Sequence, residues 1–174
     1  LVVGAGGVGA SMASIAETRS FFDSFVLADI SRERALQAVA ELDDPGKFSA
    51  EVVDAGNIFE LVALIEKVKA DVVVNACDPR FNESIFEACY RAKCSYVDMA
   101  MNLSEPHPTD PYNQVGVPLG AAQLAADEAW REKGLLAIVA MGVEPGLSDI
   151  FARYAADHLF DTIDEIGIRD GSNL

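Results

Sequence analysis

Basic residues are scarce in this sequence of 174 residues. Lysine and arginine together number 13 against 28 aspartates and glutamates, which gives a formal net charge of -15 at pH 7. Such a surface repels phosphate backbones and anionic headgroups, so we expect no nucleic-acid partner and no membrane partner. Long apolar runs are missing too, because none reaches the roughly 18 residues that a membrane span needs.

Cysteine and histidine are scarce as well, and neither shows a binding pattern. Cys77, Cys89 and Cys94 lack the spacing of a disulfide framework, so we expect reduced thiols and a cytoplasmic location. His107 and His158 lack metal-ligand spacing, and we therefore expect no metal site.

Apolar residues, in contrast, make up 51% of the sequence, in short strand-like runs that alternate with helix-period segments. Strands are predicted over residues 1–3, 25–29, 50–54, 71–76, 95–98 and 135–140. Helices are predicted over residues 7–19, from the Ser31 cap to about 43, and over 58–68, 81–93, 121–133 and 147–159. This alternation is typical of an α/β fold with a Rossmann-type, doubly wound parallel sheet.

The alternation of strands and helices stops near residue 160. Residues 162–169 alternate apolar and polar side chains, which predicts a strand that opens a different sheet. We therefore expect a dinucleotide-binding Rossmann domain over 1–160 and the start of a second α/β substrate and dimerisation domain over 161–174. Because only three residues precede the first glycine, we also expect the sequence to be a piece of a longer polypeptide.

A glycine motif follows the first predicted strand. Gly4, Gly6 and Gly9 fit G-x-G-x-x-G between a strand and a helix, and Asp29 ends the next strand 20 residues after Gly9. In this motif the first glycine permits the turn, the second lets the backbone approach a pyrophosphate, and the third lets the helix pack close to the strand. The pattern predicts a dinucleotide site at the start of the first helix.

Two residues near the second strand bear on the choice of cofactor. Asp29 is placed to accept hydrogen bonds from ribose hydroxyls and to repel a 2′-phosphate, which favours NAD and leaves NADP possible. Arg32 lies close enough in sequence to pair with such a phosphate. The alternatives are a cap at the strand end for Asp29 and a solvated helix face for Arg32.

The exit of the fourth strand, residues 76–79, is a second candidate surface. Ligands of open α/β sheets lie outside the carboxyl ends of the strands, and the small Ala76 leaves room there for a second ribose. Pro79 fixes the loop that also holds Cys77 and Asp78. Because Cys77 has no histidine nearby in sequence, we do not assign it as a nucleophile, and the catalytic residues stay unassigned.

The exits of the fifth and sixth strands carry carboxylates. Asp98 lies at the same rim either as a ligand contact or as a cap. Glu144 is a candidate to orient an amine or act as a base, with a solvent-facing loop carboxylate as the alternative. Arg80 is the best local anchor for a substrate carboxylate, and Met99 and Glu144 complete the substrate-binding candidates.

These segments together resemble a known family. The order "VVGAGGVG", "ADISRERA", "DVVVNACDPRFNESIFEAC", "SYVDMA" and "GVEPGLSDIFARYAADHL" is similar to the saccharopine dehydrogenase family, which includes saccharopine reductases and lysine 6-dehydrogenases. The resemblance implies cofactor contacts at Gly4, Gly6, Gly7, Val8, Asp29, Ile30, Asp54, Ala76, Cys77, Asp98, Val143 and Pro145. Gly9, Ser31, Ala55, Asp78 and Pro79 at the same exits complete the candidate cofactor site.

The resemblance implies an NAD(P)-dependent oxidoreductase that acts on the CH–NH group of an amino acid or secondary-amine conjugate, of the saccharopine or lysine type. Its partner would be a small amino-acid-type substrate, and a homodimer would form through the second domain. Two alternatives stay open: a non-catalytic dinucleotide-binding module or redox sensor, and a different Rossmann enzyme such as a methyltransferase.

Overall fold

Six parallel strands form one sheet in the order β3-β2-β1-β4-β5-β6 in the computed structural model, which describes residues 1–102, 104–169 and 171. The strands are β1 (Val2–Val3), β2 (Phe25–Asp29), β3 (Phe48–Val52), β4 (Val72–Asn75), β5 (Ser95–Asp98) and β6 (Ala137–Ile138). The helices are α1 (Gly7–Glu17), α2 (Arg32–Ala40), α3 (Ile58–Val68), α4 (Asn82–Ala92), α5 (Ala121–Ala125), α6 (Asp127–Glu132) and α7 (Leu147–His158). The chain therefore has the Rossmann-type, doubly wound parallel sheet that its sequence predicts.

Helices cover both faces of the sheet because successive strand residues point to opposite sides. Val2 packs with Leu27 and with Ala35 of α2 on one face. Val3 packs on the other face with side chains of α3, α4 and α6, where the rings of Phe86 and Trp130 stack with centroids 4.4 Å apart. Burial on both faces explains why these strands read as continuous apolar runs.

Several predicted boundaries are wrong. β3 begins two residues earlier than residues 50–54, and β6 keeps only two paired residues of 135–140. The helix predicted over residues 121–133 is two short helices, because the chain bends at Ala126 between α5 and α6.

The strand predicted over residues 162–169 does not form. All eight residues are exposed and pair with no described strand. Alternation by itself does not make a strand, because a strand needs a neighbour to receive its backbone hydrogen bonds.

None of the helices among the described residues combines the length and the apolar composition that crossing a bilayer requires.

Candidate functional site

The exits of β1 and β4 lie side by side at the point where the strand order reverses. The chain leaves β1 toward β2 on one side, and β4 begins the second half of the sheet on the other. The amide of Ala76 donates to the carbonyl of Val3 at 2.8 Å, so the two exits are joined. A crevice at such a reversal is the usual ligand site of an open α/β sheet.

The turn after β1 has the geometry that glycine allows. Gly4 has φ +105, and a Cβ there would meet the carbonyl oxygen of Ala76 at 2.7 Å. A Cβ on Gly9 would overlap the carbonyl oxygen of Gly4, because the start of α1 passes directly over the strand exit. These two glycines are required by the fold itself.

Gly6 is different, because the fold does not require a glycine there. Its φ of -73 suits any residue, and a Cβ would meet no atom within 4 Å. Gly6, Gly7 and Val8 are exposed at the start of α1, where no side chain caps the helix. An open backbone with free helix amides is the surface on which a pyrophosphate is bound.

Asp29 is buried at the end of β2 and holds the glycine turn. Its Oδ2 accepts from the amide of Ala5 at 2.9 Å, and its Oδ1 accepts from the amide of Ser31 at 2.8 Å. Ser31 caps α2 by accepting from the amide of Arg34, while Ile30 is exposed at the rim. Asp29 therefore caps the end of β2, and it also lies beside the predicted ribose position.

Arg34 is the arginine beside Asp29, a contact that was not predicted from the sequence. Nη1 of Arg34 lies 3.2 Å from Oδ1 and 3.4 Å from Oδ2 of Asp29, whereas Arg32 forms no ion pair with the described residues. The Arg34 side chain is 57% exposed. Its position three residues after the Ser31 cap, one turn along α2, was the signal that could have identified it.

The β3 exit lies at the edge of the sheet, two strands from β1. The exposed Asp54 accepts from the amide of Gly56 at 2.8 Å. Ala55 is buried and its carbonyl accepts from the hydroxyl of Ser84 on α4. The structure thus ties this exit to the helix that follows β4.

The β4 exit contains the thiol of Cys77. Its Sγ donates to the carbonyl of Val3 at 3.3 Å. Burial, and then the charges of Asp29 and Asp78, raise the pKa of Cys77 to about 11. A thiol that keeps its proton at neutral pH is a poor nucleophile, in agreement with the decision not to assign Cys77 that role.

Residues beyond Cys77 form an exposed turn. The Asp78 carboxylate accepts from the amide of Arg80 at 3.0 Å and caps the short 3-10 helix that begins at Pro79. The Arg80 guanidinium is exposed, with its Nε 3.8 Å from the Asp78 carboxylate and its carbon 5.0 Å from the centre of the Phe81 ring. An exposed pair of this kind contributes little to stability, so Arg80 is free to turn toward a ligand.

The exits of β5 and β6 meet through the backbone. The amide of Met141 donates to the carbonyl of Asp98 at 2.9 Å, and the partly buried Met99 follows Asp98 along the chain. The loop that starts α7 places Val143 and Glu144 on the surface beside the partly buried Pro145. The Glu144 side chain is exposed to solvent, as the alternative of a solvent-facing loop carboxylate predicts.

A buried polar network lies beneath these exits, and sequence analysis found only one of its members, Asp98. The network consists of five side chains, each at most 6% exposed: Asn75, Asn82, Tyr96, Asp98 and Gln123. Oδ2 of Asp98 accepts from the Tyr96 hydroxyl at 2.8 Å and from Nε2 of Gln123 at 2.7 Å, and its Oδ1 accepts from the amide of Ala140 at 2.6 Å. Polar residues inside apolar strands were the available signal, since Asn75 ends the run "DVVVN".

The family model described as "Saccharopine dehydrogenase NADP binding domain" matches residues 1–138. This match covers the sheet and every strand exit except the loop after β6. It therefore agrees with a cofactor of the NAD(P) type.

Curated relatives extend the match to nearly the whole chain. "Carboxynorspermidine synthase" of Vibrio cholerae serotype O1 is 34% identical over 98% of this chain and 42% of its own length. "Carboxyaminopropylagmatine dehydrogenase" of Synechocystis sp. is 28% identical over 98% of this chain and 40% of its own length. The chain thus spans less than half the length of these relatives.

A solved structure gives the same fold at low identity. Apo saccharopine dehydrogenase (L-Glu forming) from Saccharomyces cerevisiae matches 91% of this chain and 30% of its own, with a TM-score of 0.67 at 15% identity. The sheet order, the glycine turn and the family match over residues 1–138 agree with one another. The chain belongs to the saccharopine dehydrogenase family, of which it carries the NAD(P)-binding domain.

Proposed function

We propose that this chain is the cofactor-binding part of an NAD(P)-dependent oxidoreductase that acts on the CH–NH group of a carboxylated, polyamine-type amine. The proposal rests on the exposed backbone at Gly6, called the cradle below, because a Cβ there would meet no atom of the protein within 4 Å. Saccharopine and lysine are the substrates that the sequence resemblance first implied. The names of the relatives favour a longer amine that bears a carboxylate.

The proposed cofactor would lie across the switch between β1 and β4. Its pyrophosphate would sit on the amides that begin α1, with the adenine-side ribose beside Asp29 and the adenine near Asp54 and Ala55. The nicotinamide half would extend over Ala76 and Cys77 toward the exits of β5 and β6. A bound nicotinamide supplies or accepts the hydride, while this chain binds and orients it.

Charge supports an amine substrate. The net charge of -15 attracts polycations, and the exposed carboxylates of Asp78 and Glu144 would lie at the nicotinamide end of the proposed site. Arg80 is the local cation that suits the carboxylate of such a substrate. We propose these three side chains, with Met99, as the part of the substrate site that this chain contributes.

The proposed domain organisation places residues 1–160 in the cofactor domain and 161–174 at the start of a substrate and dimerisation domain. Residues 161–169 are exposed and lie outside the sheet, which supports this boundary. The homodimer remains part of the proposal. Sedimentation of the whole protein measures its mass directly, and a monomer would contradict it.

The test uses the whole protein and two matched glycine variants. Gly6→Val fills the cradle, and Gly167→Val adds the same side chain at a remote position where a Cβ also meets nothing within 4 Å. We expect Gly6→Val to weaken NADH and NADPH binding at least tenfold by calorimetry, and Gly167→Val to leave it unchanged. Absorbance of the reduced nicotinamide then follows turnover with lysine, saccharopine and polyamine-type amines.

Three outcomes separate the alternatives. Turnover that is fastest with a carboxylated polyamine-type amine supports the proposal. Tight dinucleotide binding without turnover of any amine indicates a non-catalytic module or sensor. Absence of dinucleotide binding by the unaltered protein, with binding of S-adenosylmethionine in its place, indicates a methyltransferase.

A further inference from the structure

The buried network of Asn75, Asn82, Tyr96, Asp98 and Gln123, called the rim network below, joins four elements. Asn75 ends β4, Tyr96 and Asp98 belong to β5, Asn82 starts α4, and Gln123 belongs to α5. Nδ2 of Asn75 donates to Oδ1 of Asn82 at 2.8 Å and to the Tyr96 hydroxyl at 3.2 Å. The Tyr96 hydroxyl donates in turn to Asp98, so the chain of hydrogen bonds is continuous.

The rim network is hydrogen-bonded to the backbone at three strand exits. Oδ1 of Asn75 accepts from the amide of Cys77 at 2.9 Å, after β4. Nδ2 of Asn82 donates to the carbonyl of Ala100 at 2.5 Å, after β5. Oδ1 of Asp98 accepts from the amide of Ala140, after β6, where Ala140 has φ 61.

Packing alone does not account for this arrangement. Burying polar groups costs free energy unless they are hydrogen-bonded, and apolar side chains of similar size would fill the same space. The backbone ladder already pairs β4 with β5 over four residues, so the strands need no side-chain help to align. Oε1 of Gln123 has no hydrogen-bond partner among the described residues, so burying this oxygen costs free energy of folding.

The contacts divide the crevice into two halves. The adenine side is built from the glycine turn, held by Asp29, and among the described residues the five side chains of the rim network form no hydrogen bond with Asp29 or the glycine turn, whose strand is joined to the β4 exit through the backbone of Val3 and Ala76. The exits that the network holds are those at the nicotinamide side. A buried hydrogen-bonded network rigidifies what it joins, because each bond is strengthened by its neighbours and by the surrounding low dielectric.

We propose that the rim network is a positioning device that sets the exits of β4, β5 and β6 for the nicotinamide half of the cofactor, with Tyr96 and Asp98 as its central positioning residues. This inference rests on the proposed function, since it assumes that the dinucleotide crosses the switch between β1 and β4. The glycine turn and Asp29 contact the network only through the backbone of the β4 exit, so we expect the adenine half to depend on the network less than the nicotinamide half. Changes in the network therefore alter the affinity for the full dinucleotide and spare that for adenosine diphosphate.

The experiment compares two ligands on the whole protein by calorimetry. Tyr96→Phe removes one hydroxyl that accepts from Asn75 and donates to Asp98. We expect it to weaken NADH and NADPH binding about tenfold, the effect of one lost hydrogen bond, and to change binding of adenosine diphosphate less than twofold. Tyr90→Phe is the matched control, because Tyr90 lies at the far end of α4 beside Trp130 and Lys133.

A second variant and a stability control keep the outcome decisive. Gln123→Met removes one donor to Asp98 from the edge of the network and is expected to shift the ratio of the two affinities in the same direction. Ile85→Val lowers stability in the apolar core without removing a hydrogen bond of the network. Equal loss of both ligands in Tyr96→Phe and Gln123→Met, or no loss of either, would overturn the inference.

Failure of the proposed function looks different. In that case the unaltered protein binds neither the dinucleotide nor adenosine diphosphate, and the inference is overturned together with the proposed function. If the unaltered protein binds both ligands and Ile85→Val shifts their ratio as much as Tyr96→Phe, the inference alone is overturned.

Discussion

At the scale of single residues, the cofactor preference of the proposed site depends on the charge balance around Asp29. The carboxylate accepts from two backbone amides and from Arg34, so its negative charge is largely offset where an adenine-side ribose would lie. A bare carboxylate at this position would exclude a 2′-phosphate. With Arg34 in contact, the exclusion is weakened, which agrees with a family whose domain is described as NADP-binding.

The first prediction concerns that ion pair. Arg34→Ala leaves Asp29 without its side-chain partner, so a 2′-phosphate meets uncompensated negative charge. We expect the affinity for NADPH relative to NADH to fall about tenfold, or ~1.4 kcal/mol, measured by calorimetry. Arg32→Ala is the control, and a larger fall in that variant would show that Arg32, the sequence-based candidate, binds the phosphate.

At the scale of elements, α1 is placed by the crossing of its first turn over β1. The helix carries no side-chain cap, and only Gly9 and Ala13 are buried along it. Its position therefore depends on the close approach that Gly9 allows to the carbonyl of Gly4. The amides at the start of α1 point at a ligand only if that approach is kept.

A pair of alanine substitutions tests this placement. Gly9→Ala drives a Cβ into backbone, and we expect it to lower the free energy of unfolding by about 2 kcal/mol, as overpacked sites do, and to weaken dinucleotide binding. Gly7→Ala lies in the same helix turn with open space around it, and its cost is expected near zero because alanine favours helix. Chemical denaturation measures both variants, and equal losses would contradict the argument.

At the scale of the whole molecule, the three cysteines make stability depend on pH. Burial is the main cause that raises the pKa of each thiol from 9.0, to about 11 for Cys77 and Cys94 and in the same direction for Cys89. Below pH 9 the folded and unfolded states both keep these protons. Between pH 9 and about 11 the unfolded chain releases them first, so the free energy of unfolding falls as pH rises.

Denaturation in urea with a reductant present, followed by the fluorescence of Trp130, measures that fall. We expect the contribution of the cysteines to stability to be flat from about pH 7 to the ordinary thiol pKa of 9.0 and to decline above it. Cys77→Ser and Cys94→Ala each remove one thiol and should make the decline shallower. An unchanged slope in both variants would assign the alkaline loss to other groups.

Local patterns were sufficient for several parts of this molecule. α3 and β5 have the bounds that the sequence predicts. Asn57 caps α3 and Lys69 ends it in a left-handed conformation, while β5 pairs with β4 on one side and with β6 on the other. The glycine spacing and Asp29 predicted the turn between β1 and α1, because both act through backbone geometry within one strand-turn-helix unit. The order of apolar runs predicted the parallel sheet for the same reason.

Tertiary structure decided what depends on neighbours distant in sequence. Residues 162–169 alternate like a strand and remain unpaired, and Gln123 reaches Asp98 across 25 residues to join a network that no local pattern reveals. The ion pair between Arg34 and Asp29 depends on where α2 lies relative to the end of β2. The sequence by itself determined the parallel fold and the glycine turn after β1, because periodicity and turns are local. Packing alone decided which charges offset one another and which polar groups are buried together.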